Sequence, residues 1–392
     1  MQNNFLFGID FLFGGGYNFK KINANIWRFV DIKVVLFMEK NIFSGKWGKC
    51  HCQGVCMDTA RKYVYYSFTT KLVKTDLQGN IIGSVDNIVG HLGCMDFNDN
   101  DGKVYASLEY KNDVIGRGIL ATLGLKIDIE DAFYVAIFDV DKIDRLNMDA
   151  ETDGIMKAVY LKEVVDDFKG KTVNGGKVCD HVLGCSGIDG LTIGKDFGAD
   201  KGSKDYLSVC YGIYSDVNRT DNDYQVILQY DCQDWWDKYA KPLNQNLMHK
   251  SGPNAVRNKY FVYTGNTTYG IQNLEYDAYT GNYFVMVYKG KKPQFPNYYM
   301  YVIDGSKPAT KTELIGFEVA TYGKTLSLVN TGLGKDGIYG IEFPLGSMGT
   351  YSVGDGHFYF VDPIWEDMEN LSVNVVLYKL VITDGVWGFE KV

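Results

Sequence analysis

The sequence predicts an all-β fold built from repeated strands, and three observations carry that prediction. Aromatic residues are frequent, with 29 Tyr and 22 Phe in 392 residues. Glycine is also frequent at 44 residues, whereas there are only 7 Pro. Aromatic side chains favour strands, and glycine allows the positive φ of tight hairpin turns. The third observation is a strand pattern that recurs along the chain, and the only helix we expect is a short one near residues 161–168.

The recurring unit is a short strand that ends in an acidic residue, then a turn and an aromatic-rich strand. The first two copies share Cys-Met-Asp, at residues 56–58 and 94–96, and later copies begin near residues 184, 270 and 350. The repeated acidic residues are Asp58, Asp96, Asp189, Glu275 and Asp355. Because a catalytic residue has no reason to recur in every repeat, we interpret these residues as turn caps, whose side chains bond to the backbone of a turn.

Each copy continues into a third strand, and some continue into an outer fourth strand. Units of this kind, spaced by several tens of residues, predict a β-propeller with about five four-stranded blades. Residues 41–44 resemble an outer strand, so they are predicted to close the ring. A six-bladed ring, with residues 326–329 and 338–343 in an extra blade, and a pair of β-sandwiches are the alternatives.

In these repeats, residues 41–392 resemble the β-propeller superfamily and, more broadly, its five-bladed carbohydrate-active members. No motif in them is as specific as a WD or kelch signature. The resemblance implies the fold and suggests a carbohydrate ligand by analogy, but a shared fold does not determine an activity.

The first 37 residues differ from the rest of the chain. They contain three consecutive glycines at residues 14–16 and show no clear period, and a second methionine, Met38, precedes the repeats. We therefore predict an N-terminal extension over residues 1–37 and a single propeller domain over residues 38–392. The extension is either an upstream start outside the domain or an ordinary element that docks on it.

Charge and cysteine content limit the partners and the location. The net charge is −8 and the basic residues are scattered, so we expect no nucleic-acid partner. No apolar run reaches the ~18–20 residues needed to cross a bilayer, so we expect no membrane partner. The N-terminal sequence does not resemble a signal peptide, and several of the eight cysteines lie in apolar strands. This pattern predicts reduced thiols and a cytoplasmic protein.

Polar residues precede the inner strands, where a propeller forms the mouth of its central channel. Three of the five histidines, His51, His91 and His181, occupy comparable positions in successive repeats. Imidazole suits divalent transition metals, so these three are candidate ligands of one divalent metal ion, the only cofactor we expect. Without a metal, the channel is expected to bind a polar ligand through Gln53, Tyr269, Gln272 and Asn273. The remaining alternative is that these groups only satisfy one another and ordered water.

Two acidic residues depart from the repeat pattern and are candidate catalytic groups, namely Asp180 and Glu109. The function predicted from these features is binding or cleavage of a small polar ligand in the channel, with a carbohydrate as the leading candidate. Cleavage would make the protein a hydrolase or lyase, with or without metal assistance. The alternative from a different class is a non-catalytic scaffold that binds a protein partner.

Overall fold

The computed structural model describes residues 38–392 except residues 246 and 368. In this part of the chain five sheets contain three or more strands, and they follow one another in sequence. Residues 41–392 form one unit by their mutual contacts. The predicted N-terminal extension lies outside the described residues.

The first strand, β1 (Asn41–Phe43), belongs to the fifth blade, and the first blade follows it. The antiparallel strands of the first blade are β2 (Cys52–Met57), β3 (Tyr63–Phe68), β4 (Lys71–Asp76) and β5 (Ile81–Asp86). In the turn before β5, Asp76 Oδ1 accepts hydrogen bonds from the backbone N–H groups of Gln78 and Asn80, both at 2.9 Å. Gly79 has φ +79° there, which glycine adopts without strain, so local chemistry sets this hairpin.

The second blade contains a helix that the sequence did not predict. Its strands are β6 (His91–Asn98), β7 (Lys103–Tyr110), β8 (Ala132–Phe138) and β10 (Met156–Tyr160), whereas β9 (Met148–Asp149) adds to the edge of the first blade. Helix α1 (Val114–Thr122) follows β7 and is capped by Asp113, which accepts from Gly116 N at 2.9 Å. Two glycines lower its helix propensity, which explains why the sequence pattern missed it.

The third blade is preceded by the short helix that the sequence predicted. This helix is α2 (Lys162–Lys169), and a hairpin of β11 (Lys171–Asn174) and β12 (Lys177–Asp180) follows it. The blade strands are β13 (Cys185–Lys195), β14 (Asp205–Ile213), β15 (Tyr224–Tyr230) and β16 (Asn258–Tyr263), with α3 (Trp235–Lys238) before the last.

The fourth blade has three regular strands, β17 (Thr268–Asp277), β18 (Asn282–Tyr288) and β19 (Met300–Ile303). The next strands, β20 (Thr310–Glu313) and β21 (Tyr322–Thr325), extend the third blade, and β22 (Leu333–Lys335) and β23 (Ile338–Gly340) form a separate hairpin. Val329 N and Ile341 N each donate to a carbonyl oxygen of β19 at 2.8 Å. Residues 326–329 and 338–343 therefore border the fourth blade and form no sixth blade.

The fifth blade closes the ring. Its strands are β24 (Thr350–Ser352), β25 (His357–Ile364), β26 (Ser372–Thr383) and β27 (Val386–Lys391). Strand β1 pairs antiparallel with β26, with Ile42 opposite Val375. An N-terminal strand thus completes the last blade, which confirms the predicted closure.

Buried aromatic side chains on the second strands of the blades fill the spaces between blades. Tyr65, Tyr105, Tyr283 and Tyr359 are each 1% exposed or less. Full burial of a large apolar side chain contributes roughly 1.5–3 kcal/mol, so this repeated position is a main source of stability. Nearer the axis the inner strands approach so closely that a Cβ on Gly54 would lie 3.0 Å from Cys94 Cα.

The repeated acidic residues have different roles, and the turn-cap prediction is wrong for three of the five. Asp58 and Asp355 do accept backbone hydrogen bonds in turns. Asp96, Asp189 and Glu275 instead lie within inner strands. A carboxylate inside one blade can accept hydrogen bonds from the next blade, an interaction between blades that a repeat in one sequence does not reveal.

Candidate functional site

The inner strands of successive blades pack side by side around the axis, which brings polar residues from distant parts of the sequence together. His91 opens β6, and Glu109 lies directly opposite it on β7. Asp189 lies at an irregularity of β13, between the paired residues Ile188 and Leu191. Gln272 lies at the corresponding irregularity of β17. We call the group of His91, Glu109, Asp189 and Gln272 the channel mouth.

A histidine and two carboxyl groups converge in the channel mouth. His91 Nδ1 lies 3.8 Å from Glu109 Oε2 and 3.8 Å from Asp189 Oδ1. One potential ligand atom of each of the three residues lies within 4.8 Å of the other two. His91 Nδ1 is buried, and no hydrogen-bond partner for it exists in the described part of the chain. Leaving a buried polar atom unpaired costs free energy, so a ligand or ion that binds His91 Nδ1 would be favoured.

Lys111 is a buried cation that contacts Glu109 of the channel mouth. Its Nζ lies 2.7 Å from Glu109 Oε2 and donates to Ser186 O at 2.9 Å. The other Glu109 oxygen accepts from Ile188 N at 2.6 Å. Glu109 is only 2% exposed, so this carboxylate is bound on both sides and shielded from solvent.

Burial shifts the pKa values of the mouth residues away from their usual ranges. Burial, together with the Lys111 cation, lowers the pKa of His91 to about 3, so the imidazole is neutral. Burial and the Glu109 charge raise the pKa of Asp189 well above its usual value. Burial alone would lower the pKa of Lys111, but the Glu109 and Asp189 carboxylates raise it. Burial raises the pKa of Glu109, and Lys111 opposes that rise. Lys111 lies against Glu109, so Glu109 is the carboxyl group that the cation stabilises in its ionised form, whereas burial and the Glu109 charge favour the protonated form of Asp189.

Two of the predicted ligand-binding residues adjoin Asp189. Gln272 Nε2 donates to Asp189 Oδ2 at 3.3 Å and to the Tyr269 carbonyl oxygen at 3.1 Å. The Tyr269 side chain is half exposed, at 49%, and its ring lies edge-on to Tyr288 at 6.3 Å. Tyr269 thus contacts the Gln272 amide through its backbone, and its exposed ring offers an apolar face to a ligand bound nearby.

The other two predicted ligand-binding residues, Asn273 and Gln53, are buried. Asn273 Nδ2 donates to Gln53 O at 3.2 Å and to Ser347 O at 3.0 Å, which connects three blades. Its Oδ1 is buried and has no partner among the described residues. The Gln53 side chain is buried and hydrogen-bonded to the His51 ring.

Only two of the three predicted metal-binding histidines lie together. The ring of His51 lies 6.4 Å from that of His91, centre to centre, and burial lowers the pKa of His51. The His181 ring lies instead between Phe168 and Tyr214, with centroid distances of 4.6 and 4.8 Å. Its Nδ1 is 2.6 Å from the Phe168 carbonyl oxygen. His181 is therefore outside the group of converging ligand atoms.

The two predicted catalytic acids have contrasting surroundings. Glu109 lies in the channel mouth, whereas Asp180 is exposed at the end of β12 and pairs with Lys171 at 2.6 Å. Asp180 and His181 line a separate open cleft of about 390 Å³ with Tyr214 and Arg219.

The sequence pattern does not identify Asp189 and Lys111 as site residues. It groups Asp189 with the turn caps, although the distance of Asp189 from the preceding cysteine differs. Cys185 precedes Asp189 by four residues, whereas Cys94 precedes Asp96 by two. The only signal for Lys111 is that it follows Glu109 by two residues, a spacing that places both side chains on one face of a strand.

The fold and site define a five-bladed β-propeller with a polar, partly unsatisfied channel mouth. No protein-family model matches the sequence, and no curated protein matches it. Solved structures do match, among them a GH43 β-1,3-galactosidase with galactodeoxynojirimycin, at 11% identity and a TM-score of 0.41 over 87% of this chain and 94% of that chain. An exo-1,5-α-L-arabinanase from a bovine ruminal metagenomic library matches at 12% identity and a TM-score of 0.42 over 88% and 98%.

A third similar structure is the Dos1 propeller, at 7% identity and a TM-score of 0.30 over 83% of this chain and 78% of that chain. At these identities and TM-scores the similarities say nothing about the activity of this chain. No helix among the described residues is long and apolar enough to cross a membrane. All eight cysteines are free thiols.

Proposed function

We propose that the channel mouth binds a carbohydrate and that Asp189 donates a proton during cleavage of its glycosidic bond. The observation that supports the proposal is a buried carboxyl group with a raised pKa that accepts from Gln272, whose amide also binds the backbone of the half-exposed Tyr269. Sugars present hydroxyl groups at their edges and C–H groups on their faces. Amide and carboxyl groups match the first, and an aromatic ring matches the second.

The proposed reaction is hydrolysis. As the bond from the anomeric carbon to the leaving-group oxygen breaks, the Asp189 proton passes to that oxygen. Water adds its hydroxyl to the anomeric carbon, and its remaining proton restores the Asp189 carboxyl group. A carboxyl group acts in this way only while protonated, and burial together with the Glu109 charge raises the pKa of Asp189, which favours its protonated form.

Glu109 has a supporting role in this proposal and does not attack the sugar. It is 2% exposed and bound to Lys111, and its nearest oxygen lies within 4.8 Å of Asp189. Paired catalytic carboxyl groups of glycosidases are separated by about 5–5.5 Å or about 6.5–9.5 Å. The Glu109 charge instead raises the pKa of its neighbour.

The first test compares two kinds of substrate. 4-Nitrophenyl glycosides carry a leaving group that needs little protonation, whereas methyl glycosides of the same sugars need an acid. We expect Asp189→Asn to lower cleavage of the methyl glycosides by about 10²–10⁴-fold and to affect the 4-nitrophenyl glycosides much less. Asp355→Asn, which changes a turn cap, is the matched control and should retain activity. Equal losses on both substrates, or no binding and no cleavage across the panel, would overturn the proposal.

The pH profile is the second test. Because only the protonated Asp189 donates, kcat/KM should be highest at low pH and should fall as the pH rises through the raised pKa of Asp189. Asp189→Asn should remove that basic limb. A limb that persists in the variant would assign the titration to another group.

A second candidate is a metal-assisted reaction, and the unpartnered His91 Nδ1 favours it. Two ligand atoms about 2.1 Å from one metal ion can be at most ~4.2 Å apart, so the two 3.8 Å separations fit. His91, Glu109 and Asp189 would hold the ion, with His51 nearby. A divalent ion would supply a Lewis acid that polarises the ligand or an activated water.

The two candidates require opposite protonation states of Asp189, which separates them. Metal binding needs the ionised carboxylate, so Zn²⁺ or Mn²⁺ affinity should increase with pH and binding should release a proton. Elemental analysis should then find about one ion per chain, and His91→Ala should remove it. A metal-free protein that cleaves glycosides would leave only the first candidate.

A further inference from the structure

A second cavity lies at the opposite end of the channel from the mouth. The mouth is built near the start of the inner strands, whereas residues further along the same strands line this cavity of about 340 Å³. Its walls include Arg61, Asp96, Glu275 and Tyr351. This volume is within the range of about 300–1,000 Å³ for small-molecule sites.

Four carboxyl groups line this cavity against two basic side chains, and two of the four, Asp96 and Glu275, lie on inner strands. Asp96 Oδ2 accepts from Thr192 Oγ1 at 2.9 Å and from Ile193 N at 2.7 Å, which ties the second blade to the third. Glu275 Oε1 accepts from Ser352 N of the fifth blade. The second Glu275 oxygen has no hydrogen-bond partner among residues 38–392 as described, and this side chain is only 5% exposed.

The cavity carries an excess of acidic groups. Of its two basic residues, Lys195 pairs with Asp205 at 2.8 Å. Arg61 donates to the Val353 carbonyl oxygen and forms no ion pair with a described carboxylate. Burial raises the pKa of Asp96 to about 6, and burial together with Asp96 raises that of Glu275. A cation between the two carboxyl groups would offset the cost of their burial.

The walls suit an organic cation better than a metal ion. Phe97, Tyr276 and Tyr351 contribute aromatic rings, which attract organic ammonium groups. A metal ion needs three or more closely spaced ligand atoms, and among the described residues such a group occurs in the channel mouth and not here. The Arg61 guanidinium contacts the Val353 carbonyl oxygen and the Tyr351 hydroxyl, and its remaining donors would suit a carboxylate carried by the same ligand.

We propose that this second cavity binds a small primary ammonium compound, with its ammonium group between Asp96 and Glu275. The compound is a simple amine or an amino acid, and Arg61 distinguishes the two. The site is independent of the carbohydrate chemistry proposed for the mouth.

The experiment is calorimetric titration of the full chain with three probes that share one four-carbon chain. n-Butylamine carries the ammonium alone, norvaline adds a carboxylate, and n-butanol has neither. We expect one molecule of n-butylamine to bind per chain and n-butanol not to bind. Glu275→Gln should weaken n-butylamine binding at least about tenfold. Asp189→Asn, at the mouth and outside the cavity, should leave it unchanged.

The norvaline titration decides whether the ligand is an amino acid or a simple amine. If norvaline binds more tightly than n-butylamine and Arg61→Met abolishes the difference, the ligand class is amino acids. If the two bind equally, it is simple amines.

Proton release by the wild-type protein on binding n-butylamine tests the proposal even if Glu275→Gln fails to fold. Burial raises the pKa of Glu275, and a bound cation favours its ionised form, so cation binding should release protons, seen as a binding heat that varies with the buffer. The ionisable groups around the cavity are Cys56, Asp58, Arg61, Asp96, Asp99, Lys195, Asp205, Glu275, Tyr276, Asp277 and Tyr351. The proposal is wrong if n-butylamine binds no better than n-butanol, if Glu275→Gln binds it equally well, or if Ca²⁺ binds stoichiometrically in its place.

Discussion

At the scale of the residue, the Glu109–Lys111 pair shows how one buried cation controls the channel mouth. The ammonium lies 2.7 Å from Glu109 Oε2, and both side chains are at least nine-tenths buried. Removing one partner of such a pair leaves an uncompensated buried charge, which typically costs about 3–5 kcal/mol. The pair therefore sets both the local stability and the protonation of Asp189.

We predict that Lys111→Met lowers the free energy of unfolding by about 3 kcal/mol, because Glu109 must then be protonated or remain unpaired. Glu109→Gln combined with Lys111→Met should lose less than the sum of the two single variants. Urea unfolding of the four proteins measures this coupling. Additive losses would mean that the two side chains act independently.

At the scale of the element, helix α1 supports the channel mouth through its packing against Lys111. A Cβ on Gly116 would lie 1.7 Å from the Lys111 carbonyl oxygen, whereas a Cβ on Gly118 of the same helix would meet nothing within 4 Å. The two glycines therefore provide a matched pair on one helix.

We predict that Gly116→Ala destabilises the protein by displacing α1 and Lys111 and that it weakens ligand binding at the mouth. Gly118→Ala should stabilise the protein by up to about 1 kcal/mol, since alanine is the better helix former. Thermal unfolding and ligand titration of both variants check this. Equal effects of the two substitutions would show that the contact with Lys111 has no consequence.

Strand β1 is the second element with a clear energetic role, because it closes the ring. Ile42 is 1% exposed and lies opposite Val375 of the last blade. We predict that Ile42→Ala costs about 2–4 kcal/mol in chemical unfolding, as for other buried isoleucines. The neighbouring Phe43 is 43% exposed, so Phe43→Ala is the control and should change stability little.

At the scale of the whole molecule, the closed ring keeps most thiols from solvent. Of the eight free cysteines, six are buried, and Cys50 and Cys179 are partly exposed. Burial raises the pKa of a buried thiol such as Cys52, to about 12, so its thiolate is scarce.

We predict that a disulfide reagent modifies two thiols of the native protein rapidly and all eight only after unfolding. Ser substitutions of Cys50 and Cys179 should together remove the fast phase. More than two fast-reacting thiols would indicate that the blades open on the timescale of the reaction.

The sequence by itself determined the repeat, the approximate blade number and the strand that closes the ring. These follow from strand periodicity, aromatic second strands and turn residues, which act over a few neighbouring positions. The same local information predicted helix α2 but missed α1, whose glycines obscure a helix that is stabilised by its Asp113 cap and by tertiary packing.

Only the tertiary structure decided which polar residues form the site. His91 and Glu109 are 18 residues apart in sequence but are paired across two strands, and Asp189 joins them from the next blade. His91 is the first residue of an inner strand, whereas His181 lies four residues before one, and the His181 ring packs between Phe168 and Tyr214. The physical reason is that β-bulges shift the side-chain register of β6, β13 and β17, and a one-residue shift reverses the face to which a side chain points.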